Sequence, residues 1–402
     1  MCTSRRTRGR RSSAPNSIQP LSRAFVIVLD ACGVGALPDA ADYGDAGTNT
    51  LGHLAHAAGG LRLPTLGRLG LGSIVALEGV APAADPVLHG RLHPLGPGKD
   101  STAGHWELMG VVAPRPFPTY PRGFPAPVVE IVAAASGRGV VCNRPYNGID
   151  VLADFGELHL RTGKLIVYTS QDSVLQIAAH ADIVAPDELY SICAEVRERL
   201  PAQHAVARVI ARPFTGAVGG FERTGGRRDY ALAPPGRSHL QELQAAGLPV
   251  HTVGKVGQLF SGVGVDVQHP GATNADALAQ TTELMRSLAR GLVFTNLVET
   301  DQLYGHRHDV VGFHRALREV DATVAVWLEL LRTGDLLVLT ADHGCDPTAP
   351  HTDHTREHAP LLAAFEGHRS RRHDGPLADV GASALRWLTS RDAAALPGAS
   401  FL

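Results

Sequence analysis

The sequence predicts an α/β protein, a mostly parallel sheet flanked by helices with a smaller α+β cap inserted into it. Three observations lead there. The apolar runs at residues 25–29, 292–298 and 336–339 are short and nearly unbroken, the pattern of strands buried on both faces. Residues 311–332, between the second and third runs, carry Phe313, Leu317, Val320, Val324, Trp327, Leu328 and Leu331 at helical spacing. Residues 117–235 abandon this alternation for Pro-bounded segments with strand-like runs at 165–169 and 205–210 and a helix at 187–200. Strands alternating with helices build a parallel sheet covered on both sides. The expected organisation is therefore a discontinuous core, residues 23–116 and 236–402, with residues 117–235 as the cap. Stretches 112–127 and 233–236 connect the two.

Composition agrees with a two-domain globular protein. A chain of 402 residues with 44% hydrophobic content and balanced charge can bury full cores. No apolar run approaches the roughly 18 residues of a membrane span, so no membrane partner is expected. The five cysteines are odd in number, dispersed and without CxxC spacing, which suggests free thiols and a cytoplasmic location. The first 23 residues hold six arginines and no acid, and residues 1–22 read as a disordered extension. Setting those six charges aside from a net −2 leaves about −8 for the rest, which disfavours a nucleic-acid partner.

Each predicted core strand ends in ionisable residues. The first stops at Asp30, the second leads to Asp301 and His306, and the third stops at Asp342 and His343, with His354 eleven residues later. In parallel sheets ligands collect beyond the carboxyl ends of the strands. Carboxylates and imidazoles crowded there are costly unless a cation pairs with them. Two sets can be assembled: Asp301, His306 and His354 around one ion, and Asp30, Asp342 and His343 around another. Such a pair clamps the entering and leaving oxygens of an in-line phosphoryl displacement. The donor mixture suits Mn²⁺ or Zn²⁺. Cys345 is expected to be a bystander, and His308, Asp309, Asp346, His351, Asp353 and His358 to orient the ligands.

A hydroxyl to receive phosphate is offered by Ser101 and Thr102 in the glycine-bounded segment 96–107. The same residues also read as a turn capping a helix that begins near Ala103. Arg208, Arg212, Arg223, Arg227, Arg228 and Lys255 supply groups that hold phosphate. Arg208 and Arg212, at even spacing, would share a face if their segment is a strand.

Beyond the extension the chain resembles the bacterial phosphopentomutase family of the alkaline phosphatase superfamily. The resemblance rests on Thr50-Leu51-Gly52-His53, Gly98-Lys99-Asp100, Gly104-His105-Trp106-Glu107, Tyr168-Thr169-Ser170 and Asp172-Ser173-Val174. It continues through residues 208–214, Arg223-Thr224, 340–344 and 352–357. It implies an alkaline-phosphatase-like core and interconversion of ribose 1-phosphate and ribose 5-phosphate, and of the 2-deoxyribose pair, in nucleotide metabolism. It also implies two Mn²⁺ ions, a phosphorylated hydroxyl residue and a sugar bisphosphate that serves as activator. The family ligands fall on Asp30, Asp301, His306, Asp342, His343 and His354, and the substrate contacts on Ser170, Asp172, Arg208, Arg223 and Lys255. The family nucleophile is a threonine directly after Gly-Lys-Asp; here that position is Ser101, which is preferred over Thr102. Glu299 stands where the family has aspartate, and His308 where it has arginine. The competing readings are a phosphoglycerate mutase or phosphatase of the same superfamily, and a metal-binding protein without catalysis.

Overall fold

Strand β1 (Arg23–Leu29) is buried along its whole length and lies between two parallel neighbours. This computed structural model describes residues 22–170, 173–367 and 370–402. The remaining strands are β2 (Leu88–His93), β3 (Val140–Pro145), β4 (Leu165–Thr169), β5 (Val174–His180), β6 (Arg208–Thr215) and β7 (Glu222–Arg223). They continue with β8 (Arg228–Ala231), β9 (Val250–Val253), β10 (Val267–His269), β11 (Gly291–Leu297), β12 (Asp335–Thr340), β13 (Ala359–Phe365) and β14 (Gly375–Pro376). The larger sheet has the order β10-β9-β11-β1-β12-β13-β2-β14.

Register fixes where the chemistry can be. Leu29 pairs with Leu297 and Val28 with Thr340, so β1, β11 and β12 end level with one another. Asp30, the 298–306 segment and Asp342 therefore leave the sheet along one edge. The other end of β1 and β12 is fixed by a buried ion pair, Arg23 Nε donating to Asp335 Oδ1 at 2.8 Å.

The sheet is parallel from β10 to β12, but β13 runs antiparallel to β12 and β2 antiparallel to β13. This reversal has a functional consequence. An antiparallel β13 must begin at the edge where β12 ends, so the whole 341–358 loop stays there and carries His354 back beside His343.

Helices form two layers. Asn274–Ser287, Val310–Leu330, Pro64–Leu69 and Thr50–Ala57 pack on one another and reach the sheet, and Asp379–Thr389, His239–Ala245, Ser101–Leu108 and Val256–Leu259 form a second such group. The expected helix at 187–200 is present as Pro186–Arg199 and that at 311–332 as Val310–Leu330.

The second sheet, β3-β4-β5-β6-β7 with β8 on β6, is drawn entirely from residues 140–231. Its strands have their own apolar clusters, one with Val128, Val132, Ile192 and Val196 and another with Val151, Leu152 and Phe214. The strand expected at 205–210 instead runs over Arg208–Thr215, because Ala202–His204 forms a 3₁₀ turn ahead of it. Arg208 and Arg212 keep their shared face. The expected 1–22 extension lies, but for Ser22, outside the described residues. Among the described residues no helix is long and apolar enough to cross a membrane, and Cys32, Cys142, Cys193 and Cys345 are free thiols.

Candidate active site

Asp30 and Asp342 leave their strands one and two residues past the last pair, whereas Asp301 and His306 need more chain. A π-helical turn, Thr300–Gly305, supplies it, closed by the His306 N–H donating to Asp301 O at 3.2 Å. Such wide turns recur at functional sites because they re-aim side chains. Asp301 Oδ1 ends 3.3 Å from Nε2 of both His306 and His354. His343 Nε2 lies 3.5 Å from Asp30 Oδ1 and 3.3 Å from Asp342 Oδ2.

All six expected ligands thus converge, though their grouping differs in detail. Asp30, Asp342 and His343 come within reach of one ion, as expected. Asp301 is shared, grouping with His343 and His354 on one side and with His306 and Cys345 on the other. Cys345 Sγ, read from the sequence as a bystander, is 3.9 Å from His306 Nδ1. Burial pushes its thiol up to about 11, and its S–H donates to Asp353 O at 3.8 Å.

The donor set fits a pair of divalent cations. Asp30 Oδ1, Asp301 Oδ1 and Asp342 Oδ2 are buried and make no hydrogen bond among the described residues. His306 Nδ1 donates to Thr352 O at 2.5 Å and His343 Nδ1 to Gly344 O at 3.0 Å. Each ring therefore turns its Nε2 lone pair toward those carboxylate oxygens, an arrangement that a metal ion stabilises. Burial, then the Asp342 and Asp301 charges, push the Asp30 carboxyl well above its usual range. Burial opposes ionisation of Asp342 too, but His343 and His105 hold it down to about 2. Cys₂His₂-type chemistry is absent from this set; carboxylates with imidazoles suit an ion that accepts oxygen and nitrogen ligands.

Ser101 opens the helix Ser101–Leu108. Asp100 caps it, its side chain accepting from Thr102 N and Ala103 N at 3.0 and 3.1 Å. The capping reading and the nucleophile reading are therefore compatible, with the helix starting two residues earlier than its expected start near Ala103. Ser101 Oγ lies 3.1 Å from His343 Nε2, while Thr102 is buried. The preceding loop is held on two sides. Glu107 accepts from Leu95 N and Gly96 N at 2.6 and 2.9 Å, and Arg356 Nη1 donates to Gly96 O and Gly98 O at 2.9 and 2.8 Å.

The basic groups assemble mainly in the smaller sheet. Arg227 makes two 2.6 Å bonds to Asp229, and Arg208 Nη1 is 3.7 Å from the same carboxylate. Burial, with Arg227 and Arg223 nearby, pulls the Arg212 guanidinium down to about 10. The Arg223 guanidinium packs over Gly148, where an added Cβ would collide with Nη2. Lys255 feels charges from both halves. Burial lowers its ammonium, Asp30 and Asp301 oppose that, and Arg208 and Arg227 reinforce it. Arg228 does not join this cluster; it stacks 3.9 Å over the Tyr190 ring. Ser170 follows directly on β4, and Asp172 lies outside the described residues.

Of the residues expected to orient the ligands, Asp353 touches an expected ligand, accepting from the main-chain N–H of His354 at 2.8 Å. The others brace loops. Asp309 caps the helix Val310–Leu330, Asp346 accepts from Asn49 N and Thr348 N, and His351 lies 3.2 Å from Asp45. His308 meets His351 O at 3.0 Å, and the His358 N–H donates to Gly35 O. Sequence reasoning missed Asn296 and gave His105 no role. Asn296 Nδ2 donates to Asp30 Oδ2 at 2.8 Å and lies 2.9 Å from His105 Nε2. The available signal was an amide near the end of a largely apolar buried strand.

Comparison with known proteins agrees with the fold and with a metal-binding enzyme. A family model described as the metalloenzyme superfamily matches residues 22–391. A phosphopentomutase of Caldanaerobacter subterraneus subsp. tengcongensis is 46% identical over 368 residues, covering 90% of this chain and 93% of the relative. A phosphopentomutase of Anaeromyxobacter sp. strain K is 48% identical over 388 residues, covering 94% of this chain and 98% of the relative. One of Syntrophotalea carbinolica is 49% identical over 348 residues, covering 86% and 88%. Among solved structures, the PH0037 protein of Pyrococcus horikoshii superposes with a TM-score of 0.50 at 14% identity, covering 92% of this chain and 98% of that one, a likeness of fold. The chain belongs to the phosphopentomutase family of the metalloenzyme superfamily and is an enzyme of the isomerase class.

Proposed function

We propose that the enzyme interconverts ribose 1-phosphate and ribose 5-phosphate, and the 2-deoxyribose pair, with Ser101 as the residue that carries the phosphoryl group in transit. The observation that supports this reading best is the Ser101 hydroxyl at a helix N-terminus, 3.1 Å from His343 in a cluster of buried carboxylates and imidazoles. Asp30, Asp342 and His343 would hold one Mn²⁺, and Asp301, His306 and His354 the other. When bound, the ions neutralise charge on the entering and leaving oxygens.

Phosphorylated Ser101 donates to the free hydroxyl of a pentose phosphate. The Oγ–P bond breaks, a sugar O–P bond forms, and a bisphosphate results. Ser101 then takes back the other phosphoryl group. The partially positive helix terminus favours the anionic phosphoserine. Arg208, Arg223 and Lys255, with Ser170 and Asp172, hold the phosphate that is not reacting, and residues 117–235 close as a cap that excludes water. A sugar bisphosphate acts as activator because it places phosphate on Ser101. The enzyme works in the cytoplasm on small-molecule pentose phosphates, with neither nucleic acid nor membrane as a partner.

Coupled assays with ribose 1-phosphate, 3-phosphoglycerate and p-nitrophenyl phosphate test this. Turnover of ribose 1-phosphate supports it; appreciable turnover of p-nitrophenyl phosphate alone overturns it.

A further inference from the structure

We infer that His105 and Asn296 are positioning residues that tie the main chain of Ser101, the proposed phosphate carrier, to the metal-binding carboxylates Asp30 and Asp342. This inference rests on the proposed roles of Ser101, Asp30 and Asp342. His105 is fully buried. Its Nδ1 donates to the main-chain carbonyl of Ser101 at 2.8 Å and lies 3.1 Å from Asp342 Oδ2. Because a carbonyl can only accept, Nδ1 carries the proton in this arrangement.

The other ring nitrogen faces Asn296, which is also buried. The Asn296 amide N–H₂ donates to Asp30 Oδ2 at 2.8 Å and meets His105 Nε2 at 2.9 Å. The opposite amide orientation would set a carbonyl oxygen against the Asp30 carboxylate, so the donor end faces both partners. His105 Nε2 is consequently the acceptor, and the ring is the tautomer protonated at Nδ1. One chain of contacts then runs from the Ser101 carbonyl through His105 and Asn296 to Asp30, with Asp342 alongside.

Packing leaves little freedom for another arrangement. An added Cβ at Gly104 would come within 2.4 Å of Asp342 O and 2.7 Å of Asp342 Cβ, so the helix bearing Ser101 rests directly on the Asp342 backbone. The side chain one residue later can then reach past Asp342 to Asn296 on β11, the strand beyond β1. Hydrogen bonds of this kind set the direction of ligand lone pairs and tune metal affinity. Here the same ring also holds the first carbonyl of the helix that presents the hydroxyl.

The full-length chain tests this with manganese as the probe. Free Mn²⁺ is followed by electron paramagnetic resonance during titration of wild type, His105→Ala, His105→Asn and Asn296→Ala, alongside kcat, KM and Tm. His105→Ala and Asn296→Ala should each weaken Mn²⁺ binding about 10–100-fold. Both should lower kcat more than they raise KM. His105→Asn retains a donor near the Nδ1 position and should recover most of the affinity lost in His105→Ala. The double variant His105→Ala/Asn296→Ala should bind Mn²⁺ little worse than the weaker single variant, because both substitutions break one chain.

Wild-type Mn²⁺ affinity in His105→Ala or Asn296→Ala overturns the inference. So does equal loss in His105→Ala and His105→Asn with a matching fall in Tm, which would mark a packing role. Should His105→Ala not fold, Asn296→Ala decides by the same measurement. Failure of the wild-type chain itself to bind Mn²⁺ would instead remove the underlying metal assignment.

Discussion

The Ser101 hydroxyl meets Nε2 of His343 across 3.1 Å, although 242 residues separate them in the chain. Since His343 Nδ1 donates to the Gly344 carbonyl, Nε2 is the acceptor and the serine O–H points at it. The hydroxyl is thereby aimed at the atom that also faces Asp30 and Asp342.

That relationship makes the proposed role of Ser101 testable. Ser101→Ala should reduce mutase turnover by on the order of 10⁴ or more. It should also abolish phosphate recovered on the peptide containing residues 101–102 after incubation with a sugar bisphosphate. Thr102→Ala should keep most of the activity; the reverse pattern would move the role to Thr102.

Asp342 sits beside His343, His105 and the Ala31 N–H, which it accepts at 3.2 Å. Asp342→Asn should lower the metal content of purified enzyme, read by elemental analysis, and weaken the binding that remains. Unchanged stoichiometry and affinity would exclude Asp342 as a ligand.

Metal binding should also be visible as stability. Saturation at 100 times Kd adds about 2.7 kcal/mol for one site that the unfolded chain does not bind. Chelation by EDTA should therefore lower Tm, and added Mn²⁺ should restore it in wild type but less fully in Asp301→Asn. A Tm indifferent to EDTA would contradict a metal site built into the folded core.

Phosphate recognition should depend on the guanidinium groups of the smaller sheet. A charge-assisted hydrogen bond contributes about 1.5–3 kcal/mol, so Arg208→Ala should cost roughly 10–150-fold in kcat/KM. The loss should fall on KM if Arg208 holds the phosphate equally in ground and transition states. Competition by inorganic phosphate should weaken in parallel.

His239 gives a pH prediction away from the site. Burial depresses its imidazole below the ordinary 6.5, and its Nε2 faces the Pro397 carbonyl at 3.2 Å. A depressed folded-state pKa means that the unfolded chain binds more protons below 6.5. Stability from this group is complete above that value and is lost as pH falls toward the folded pKa. His239→Gln keeps a donor toward Pro397 without a titrating ring. Urea denaturation should show the stability gap between wild type and variant narrowing from pH 8 to pH 5, and a gap independent of pH would refute the assignment.

The sequence by itself determined the parallel core and all six converging ionisable side chains. Buried parallel strands are continuous apolar runs, and a carboxylate directly after such a run has to leave at the sheet edge. It also set residues 117–235 apart as an α+β insertion, through the loss of strand–helix alternation, and the second sheet, residues 140–231, falls inside that range. Ser101 was legible as one of two hydroxyls, and the helix start sets them apart in space: Asp100 caps at Thr102 and Ala103, leaving Ser101 toward His343 and Thr102 buried. The grouping of Asp301 with His343 and Cys345, the departure of Arg228 onto Tyr190 and the roles of His105 and Asn296 were likewise decided by tertiary structure. Local pattern reports which face or end of an element a residue occupies. Which residues of remote segments then meet depends on strand order, register and the antiparallel return of β13, and those are properties of the whole packed sheet.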